Sequence, residues 1–178
     1  MPKLKTQAIA VVGSKKSGKT TTTEKLIREL TNRGYKVAAI KHISEPDFTI
    51  DTPGKDTWKY AQAGAETIIS AAANEIATIE KTHLTSMSLE ALIKKCRGND
   101  IIFIEGFKKL VATKKSIPKI VVVKSMKDAI KALETYKPVI AFSGPYSTEN
   151  PDSQIPYANA LKNPEKLANI IEDNLLKK

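Results

Sequence analysis

Apolar runs of strand length alternate along this chain with amphipathic stretches of helical length. Residues 7–12 contain the apolar run Ala8-Ile9-Ala10-Val11-Val12 and predict a first strand. Residues 19–32 predict a helix: Leu26, Ile27 and Leu30 fall on one face, and Gly34 comes next as a stop. Residues 36–40 read as a second strand. Residues 41–56, with Pro46, Pro53 and Gly54, show no apolar period and read as a long connection, with a helix after it over 55–63. Residues 66–72 and 75–81 read as two strands joined tightly at Ala73-Asn74, an antiparallel hairpin inserted into the pattern. A helix is expected over 88–96, with Ser86 or Ser88 as its cap. The runs 101–104, 120–123 and 139–142 are apolar throughout, as strands buried on both faces are. A helix over 127–135 separates the last two. Residues 150–157, with Pro151 and Pro156, read as loop, and Pro164 stands near the start of a final helix to about 176. The alternation predicts an α/β fold with a mostly parallel sheet and helices on both faces. With no repeat or low-complexity linker, residues 1–178 are expected to form a single nucleotide-binding domain.

One stretch gives that architecture a chemistry. Gly13-Ser14-Lys15-Lys16-Ser17-Gly18-Lys19-Thr20 fits G-x-x-x-x-G-K-[ST], between a predicted strand and a predicted helix as that motif requires. The expected fold is therefore of the P-loop NTPase type. Gly13 and Gly18 permit backbone angles that let successive N–H groups curl around a phosphate, and the helix start adds positive field. Lys19 is expected to reach the terminal phosphates and the Thr20 hydroxyl to ligate Mg2+.

The Mg2+ shell needs an acid on a neighbouring strand. Glu105 ends the run 101–104 and precedes Gly106, which makes it the best candidate; the competing reading is a strand-terminal glutamate facing solvent. Asp100 begins that strand, at the opposite sheet edge from Gly13, and reads as a cap or turn residue. Asp51-Thr52-Pro53-Gly54 spells the D-x-P-G of many GTPases but lacks the preceding apolar strand. Asp51 remains a candidate for Mg2+, directly or through water; the alternative is that it opens a Pro-Gly turn. Lys41 sits just past strand two and is a candidate for neutralising a phosphate. His42 beside it is a weaker candidate for catalysis, His83 weaker still. Lys108 faces the site if the chain turns back after Phe107. Trp58 and Tyr60 are expected to pack. The N/T-K-x-D guanine signature is absent; Lys124-Ser125-Met126-Lys127-Asp128 stands after the 120–123 run instead. Backbone groups of Ser143-Gly144 are a weak candidate for contacting a base.

Composition narrows the partners. The 178 residues are 41% hydrophobic and 27% charged, ordinary for a globular protein. Net charge is +10, yet only Arg28, Arg33 and Arg97 of the 29 basic residues are arginine, and the lysines form no long run. Arginine is the usual reader of nucleic acid, so no nucleic-acid partner is expected. No apolar run nears membrane-spanning length, no cleavable leader is visible, and no membrane partner is expected. A lone Cys96 excludes an internal disulfide and fits a cytoplasmic location.

The order of motifs resembles one family. After the phosphate loop come Ile40-Lys41-His42, Asp47-Phe48, Asp51-Thr52-Pro53-Gly54-Lys55-Asp56, Gln62-Ala63-Gly64-Ala65 and Ile104-Glu105-Gly106-Phe107-Lys108. Over roughly the first 110 residues this is similar to the MobB family, the adaptor proteins of molybdopterin guanine dinucleotide biosynthesis. The resemblance implies a GTP-binding protein with weak GTPase activity that uses Mg2+. It implies a homodimer that assists the MobA-like molybdopterin guanylyltransferase, with molybdopterin or the molybdenum cofactor as its chemical context. By motif match it assigns 13–21 to the nucleotide phosphates and Thr20, Glu105 and Asp51 to Mg2+, with Lys19, Asp51 and Glu105 as the groups nearest to catalysis. Two departures stand out. Related metal-chaperone ATPases carry a lysine where this chain has Ser14. The stretch after Lys41-His42 is Ile43-Ser44-Glu45-Pro46, without the histidines that a metal-binding loop would offer. The alternative reading is an ATP-using small-molecule kinase, for which the chain lacks an arginine-bearing lid.

Overall fold

A computed structural model describes residues 6–83, 87–145, 152 and 154–177. The chain divides into two compact units, Met1–His42 with Leu92–Lys178, and Ile43–Ala91.

The first unit is built on a five-stranded sheet. Its strands are β1 (Gln7–Gly13), β2 (Val37–Lys41), β5 (Ile101–Glu105), β6 (Lys119–Val122) and β7 (Val139–Ser143), in the order β2-β5-β1-β6-β7. Every pairing is parallel. β5 is buried along its whole length, as its unbroken apolar sequence requires. Alternate residues serve opposite faces. Ile9, Val11, Ile101, Phe103, Ile120 and Val122 pack with Leu26 and Leu30 of α1 (Lys19–Asn32) and Leu167 and Ile171 of α6 (Pro164–Ile171). Ile102, Ile104 and Val121, of the other parity, are equally buried, as are Val111 of α4 (Lys108–Val111) and Ala129 and Ala132 of α5 (Met126–Thr135).

α1 and α6 are also joined by charge. Arg33, just past α1, pairs with Glu29 at 2.8 Å and with Glu172 at 2.9 Å, and donates to Asn169 Oδ1 at 2.7 Å. Burial alone would raise the Glu172 pKa, but hydrogen bonds from Tyr35 and Lys177 and the charge of Arg33 hold it below the usual carboxylate range. Arg28 pairs with Glu24. Of the three arginines, Arg33 is thus committed to the α1–α6 contact, while the Arg28 pair lies within α1.

The second unit holds α2 (Asp56–Gln62) and the antiparallel hairpin β3 (Thr67–Ala71) and β4 (Ile76–Glu80), in register Ala71↔Ile76. The Ala72 amide donates to the Glu75 carbonyl at 2.8 Å, so the turn falls at Ala73-Asn74 as expected. α3 (Leu89–Lys95) comes next, and Ser88 Oγ accepts from the Ala91 amide as its cap; the alternative cap, Ser86, lies outside the described residues. α2 buries no residue, and Ile50, Ile69 and Ile76 are more than 60% exposed.

The parallel sheet with its inserted hairpin matches the sequence expectation. Three features differ. The final helix changes to a π-helical turn at Glu172–Leu176, α4 was not foreseen, and Tyr60 is 58% exposed rather than packed. Part of the expected 150–157 loop lies outside the described residues; Tyr157 forms an isolated parallel bridge with Phe142. Among the described residues no helix is long and apolar enough to cross a membrane.

Candidate phosphate and magnesium site

β1 ends at Gly13 and α1 begins at Lys19, so the motif is the strand-to-helix turn itself. Gly13 is required by contact as well as angle. Its φ is 156°, and a Cβ there would stand 2.3 Å from the Val122 carbonyl oxygen and 2.8 Å from Ser17 Oγ. Lys16 takes a left-handed φ of 59°, and Gly18 one of 94°, which bends the loop back on itself. The Lys19 ammonium donates to the Ser14 carbonyl at 2.7 Å and closes the loop.

The helix start is left open for an anion. No side chain caps α1 and no acid occupies its first turn, although the first N–H groups of any helix lack intrahelical partners. By contrast, Ser125 caps α5, accepting from the Asp128 amide. The hydroxyl oxygens of Ser14 and Ser17 are buried without hydrogen-bond partners.

Parallel pairing of β1 with β5 sets Val11 opposite Glu105, and pairing of β2 with β5 sets Lys41 opposite it. Thr20, Glu105 and Lys41 therefore meet. The Thr20 hydroxyl donates to Glu105 Oε1 at 2.8 Å, and the Lys41 ammonium lies 3.4 Å from that oxygen and 3.2 Å from Thr20 Oγ1. Glu105 is buried, so it is not the solvent-facing strand end of the competing reading. Lys124, which the sequence did not mark, extends its ammonium to the Lys15 carbonyl at 3.4 Å.

Burial lowers the Lys19 pKa below the ordinary lysine value. The ammonium of Lys108 pushes it the same way, as do Lys41 and Lys124, with only Glu105 opposing. The cluster is a concentration of positive charge around one loop, which an anion would relieve.

The other candidates separate. Asp51 belongs to the second unit, where its Oδ1 accepts from the Thr57 hydroxyl and the Thr52 amide, both at 2.9 Å. That fixes the turn into α2, while Oδ2 is buried without a partner. Asp100 accepts from the Lys36 amide at 2.7 Å, a turn role as expected. The His42 ring packs against Phe107 rather than standing free.

The residues present fit the groups that the motif implies. The Gly13 cradle, the orphaned hydroxyls and the open helix start suit a phosphate chain. A hydroxyl and a carboxylate are hard oxygen donors that suit Mg2+, whose remaining ligands are ordinarily water and phosphate.

The family described as Molybdopterin guanine dinucleotide synthesis protein B matches residues 8–144. The molybdopterin-guanine dinucleotide biosynthesis adapter protein of Haemophilus influenzae is 36% identical over 114 residues, 63% of this chain and 60% of the relative. The putative adapter protein of Methanocaldococcus jannaschii is 33% identical over 138 residues, 75% of this chain and 54% of the relative. The aligned part of this chain thus spans between about half and three-fifths of the length of these curated relatives. Among solved structures, Bacillus subtilis MobB aligns with a TM-score of 0.74 at 25% identity, covering 97% of this chain and 99% of that one. A further mobB crystal structure aligns at 0.70 and 20% identity over 94% and 98% of the two chains, a likeness of fold. With the match running from the first strand to the end of the last, this chain belongs to the MobB family, that of molybdopterin guanine dinucleotide synthesis protein B.

Proposed function

We propose that this chain binds GTP with Mg2+ at the Gly13–Thr21 loop and acts as an adaptor in molybdopterin guanine dinucleotide biosynthesis, assisting a MobA-like guanylyltransferase that works on molybdopterin. The observation that carries the nucleotide reading is the meeting of Thr20, Glu105 and Lys41 beside the loop closed by Lys19. The pathway rests on family membership and on the printed names of the relatives.

In this reading the loop amides and Lys19 hold the phosphates. Thr20 and Glu105 would hold Mg2+, which would neutralise phosphate charge when bound. Asp51, in the second unit, is kept as a Mg2+ candidate on the motif match alone. The base lies in a cavity of about 230 Å3 lined by Ser17, Thr21, Ser143, Gly144, Asn159 and Leu161. Hydrolysis is slow in this reading, because no catalytic glutamine or arginine finger is evident in the sequence. The chain is a homodimer that uses the second unit, whose exposed Phe48, Ile50, Ile69 and Ile76 are the surface it would cover.

The test is calorimetric titration of the whole chain with GTP and with ATP, each with and without Mg2+. GTP preferred, strengthened by Mg2+ and turned over slowly, is the expected result. No nucleotide binding would sink the proposal; preference for ATP with turnover that needs a small acceptor would replace it with the kinase reading.

A further inference from the structure

β5 stops abruptly after Glu105. Gly106 and Phe107 take φ values of 89° and 50°, and the chain reverses into α4 at Lys108. Glycine adopts such an angle freely, whereas phenylalanine does so at a cost. The surroundings hold the strained residue in place. The Phe107 ring is buried and lies on the His42 imidazole, ring centroids 5.0 Å apart at 59°. Gly106 meets the same residue, since a Cβ there would come within 2.9 Å of His42 Cβ. The His42 amide in turn donates to the Glu105 carbonyl at 2.9 Å, one step beyond the β2–β5 ladder. Strain retained by several contacts is a sign that the turn sets the position of a functional group.

The group it sets is Lys108, the next residue in the chain. Lys108 lines a cavity of about 220 Å3 beside the phosphate loop together with Gly13, Ser14, Val122, Asp128 and Tyr136. Its ammonium acts on Lys19 more strongly than any other charge does. Lys19, Lys41 and Lys124 each have a partner: the Ser14 carbonyl, Glu105 and the Lys15 carbonyl. Lys108 pairs with no carboxylate among the described residues. The hydroxyl of Ser14, which lines the same cavity, is buried and unpartnered.

We infer that Lys108 is a phosphate-binding residue of this site, delivered by the Gly106-Phe107 turn that His42 braces, and that it selects a nucleoside triphosphate over a diphosphate. The inference rests on the phosphate-loop reading above. Backbone groups of such a loop hold the inner phosphates and its lysine the outer ones, so an ammonium set against Lys19 bears on the outermost group. His42 acts through Lys108 and is a positioning residue.

Calorimetry on the whole chain with GTP and with GDP, at fixed salt and Mg2+, tests this on wild type, Lys108→Met, Lys108→Arg and His42→Ala. Lys108→Met is expected to weaken GTP by about tenfold, the loss of a bond to a charged group. It should change GDP by less than about twofold, the size of a distant exposed charge effect. Lys108→Arg should keep most of the preference. His42→Ala should lower the GTP-over-GDP ratio, which a merely structural role would leave alone while moving the melting temperature. If Lys108→Met binds GTP as wild type does, or weakens both nucleotides alike, the assignment is overturned while the loop reading stands. Wild type that binds neither nucleotide overturns the loop reading, and the assignment with it.

Discussion

The Thr20 hydroxyl donates to Glu105 Oε1 at 2.8 Å, joining the first turn of α1 to the end of β5 across 85 residues of sequence. This hydrogen bond holds the hydroxyl and carboxylate oxygens together, with the Lys41 ammonium 3.4 Å from the carboxylate. Glu105→Gln preserves shape and burial but removes the charge. The expected outcome is loss of most of the Mg2+-dependent gain in nucleotide affinity, about tenfold or more as for other changes around a metal. Titrations with and without Mg2+ measure it; an undiminished Mg2+ effect would remove Glu105 from the site.

Lys19→Ala should separate binding from folding. A lost ammonium–phosphate bond costs roughly 1.5–3 kcal/mol of affinity. Removing the ammonium relieves the like charge of Lys108, Lys41 and Lys124 but loses its bond to the Ser14 carbonyl, two opposed effects, so the melting temperature of the ligand-free chain should change little. A large fall in that temperature would contradict the reading of Lys19 as a ligand-facing group.

Gly13→Ala should damage both. The added carbon meets the Val122 carbonyl oxygen and Ser17 Oγ at sub-contact distances, at a backbone angle that side chains rarely adopt. Strain and overpacking together are expected to cost about 2–5 kcal/mol of stability. Chemical denaturation gives the value, and a loss below about 1 kcal/mol would mean that β6 yields more readily than its burial suggests.

Lys119 offers a pH test remote from the loop. It is wholly buried at the start of β6, its ammonium donating to the carbonyls of Lys114 at 2.9 Å and Lys137 at 2.7 Å. Burial lowers its pKa to about 8 from the ordinary 10.5. Below pH 8 both folded and unfolded chains carry the proton. Between 8 and 10.5 the folded chain sheds it first, so the unfolded chain binds more protons and this group makes stability rise with pH, by about 3 kcal/mol in all. Lys119→Met removes that rise. Urea denaturation of both proteins at about pH 7, below that window, and about pH 10, within its upper part, should show wild type gaining stability relative to the variant; an equal change in both would refute it.

The parts of this fold legible in sequence were those with a local cause. Residues 101–104 and 120–123 are apolar because parallel strands have no wet face, and Glu105 could be placed because it ends such a run. The glycines of the phosphate loop announced backbone geometry directly. Lys108 was legible only conditionally, since the reversal that aims it depends on a left-handed Phe107, a conformation that phenylalanine does not advertise. The burial of Lys119 was hidden because two carbonyls from distant turns satisfy it. Likewise the pairing of Arg33 with Glu172 spans 139 residues and has no local signature. Tyr60 gave the opposite error: aromatic character predicts packing, but in the second unit this side chain remains exposed.

The strand order has a consequence for how rigidly the loop is held. β1 is the central strand, bonded to β5 on one side and β6 on the other, while β2 and β7 are the edges. Its amides should therefore be among the last to exchange with deuterium, opening only with the whole sheet, while those of β2 exchange earlier by local fraying. If the proposed nucleotide binds there, a turn rooted in the slowest-exchanging strand loses little disorder, so the ordering that accompanies binding should register in the deuterium pattern at the β2 end, around Lys41, rather than at β1.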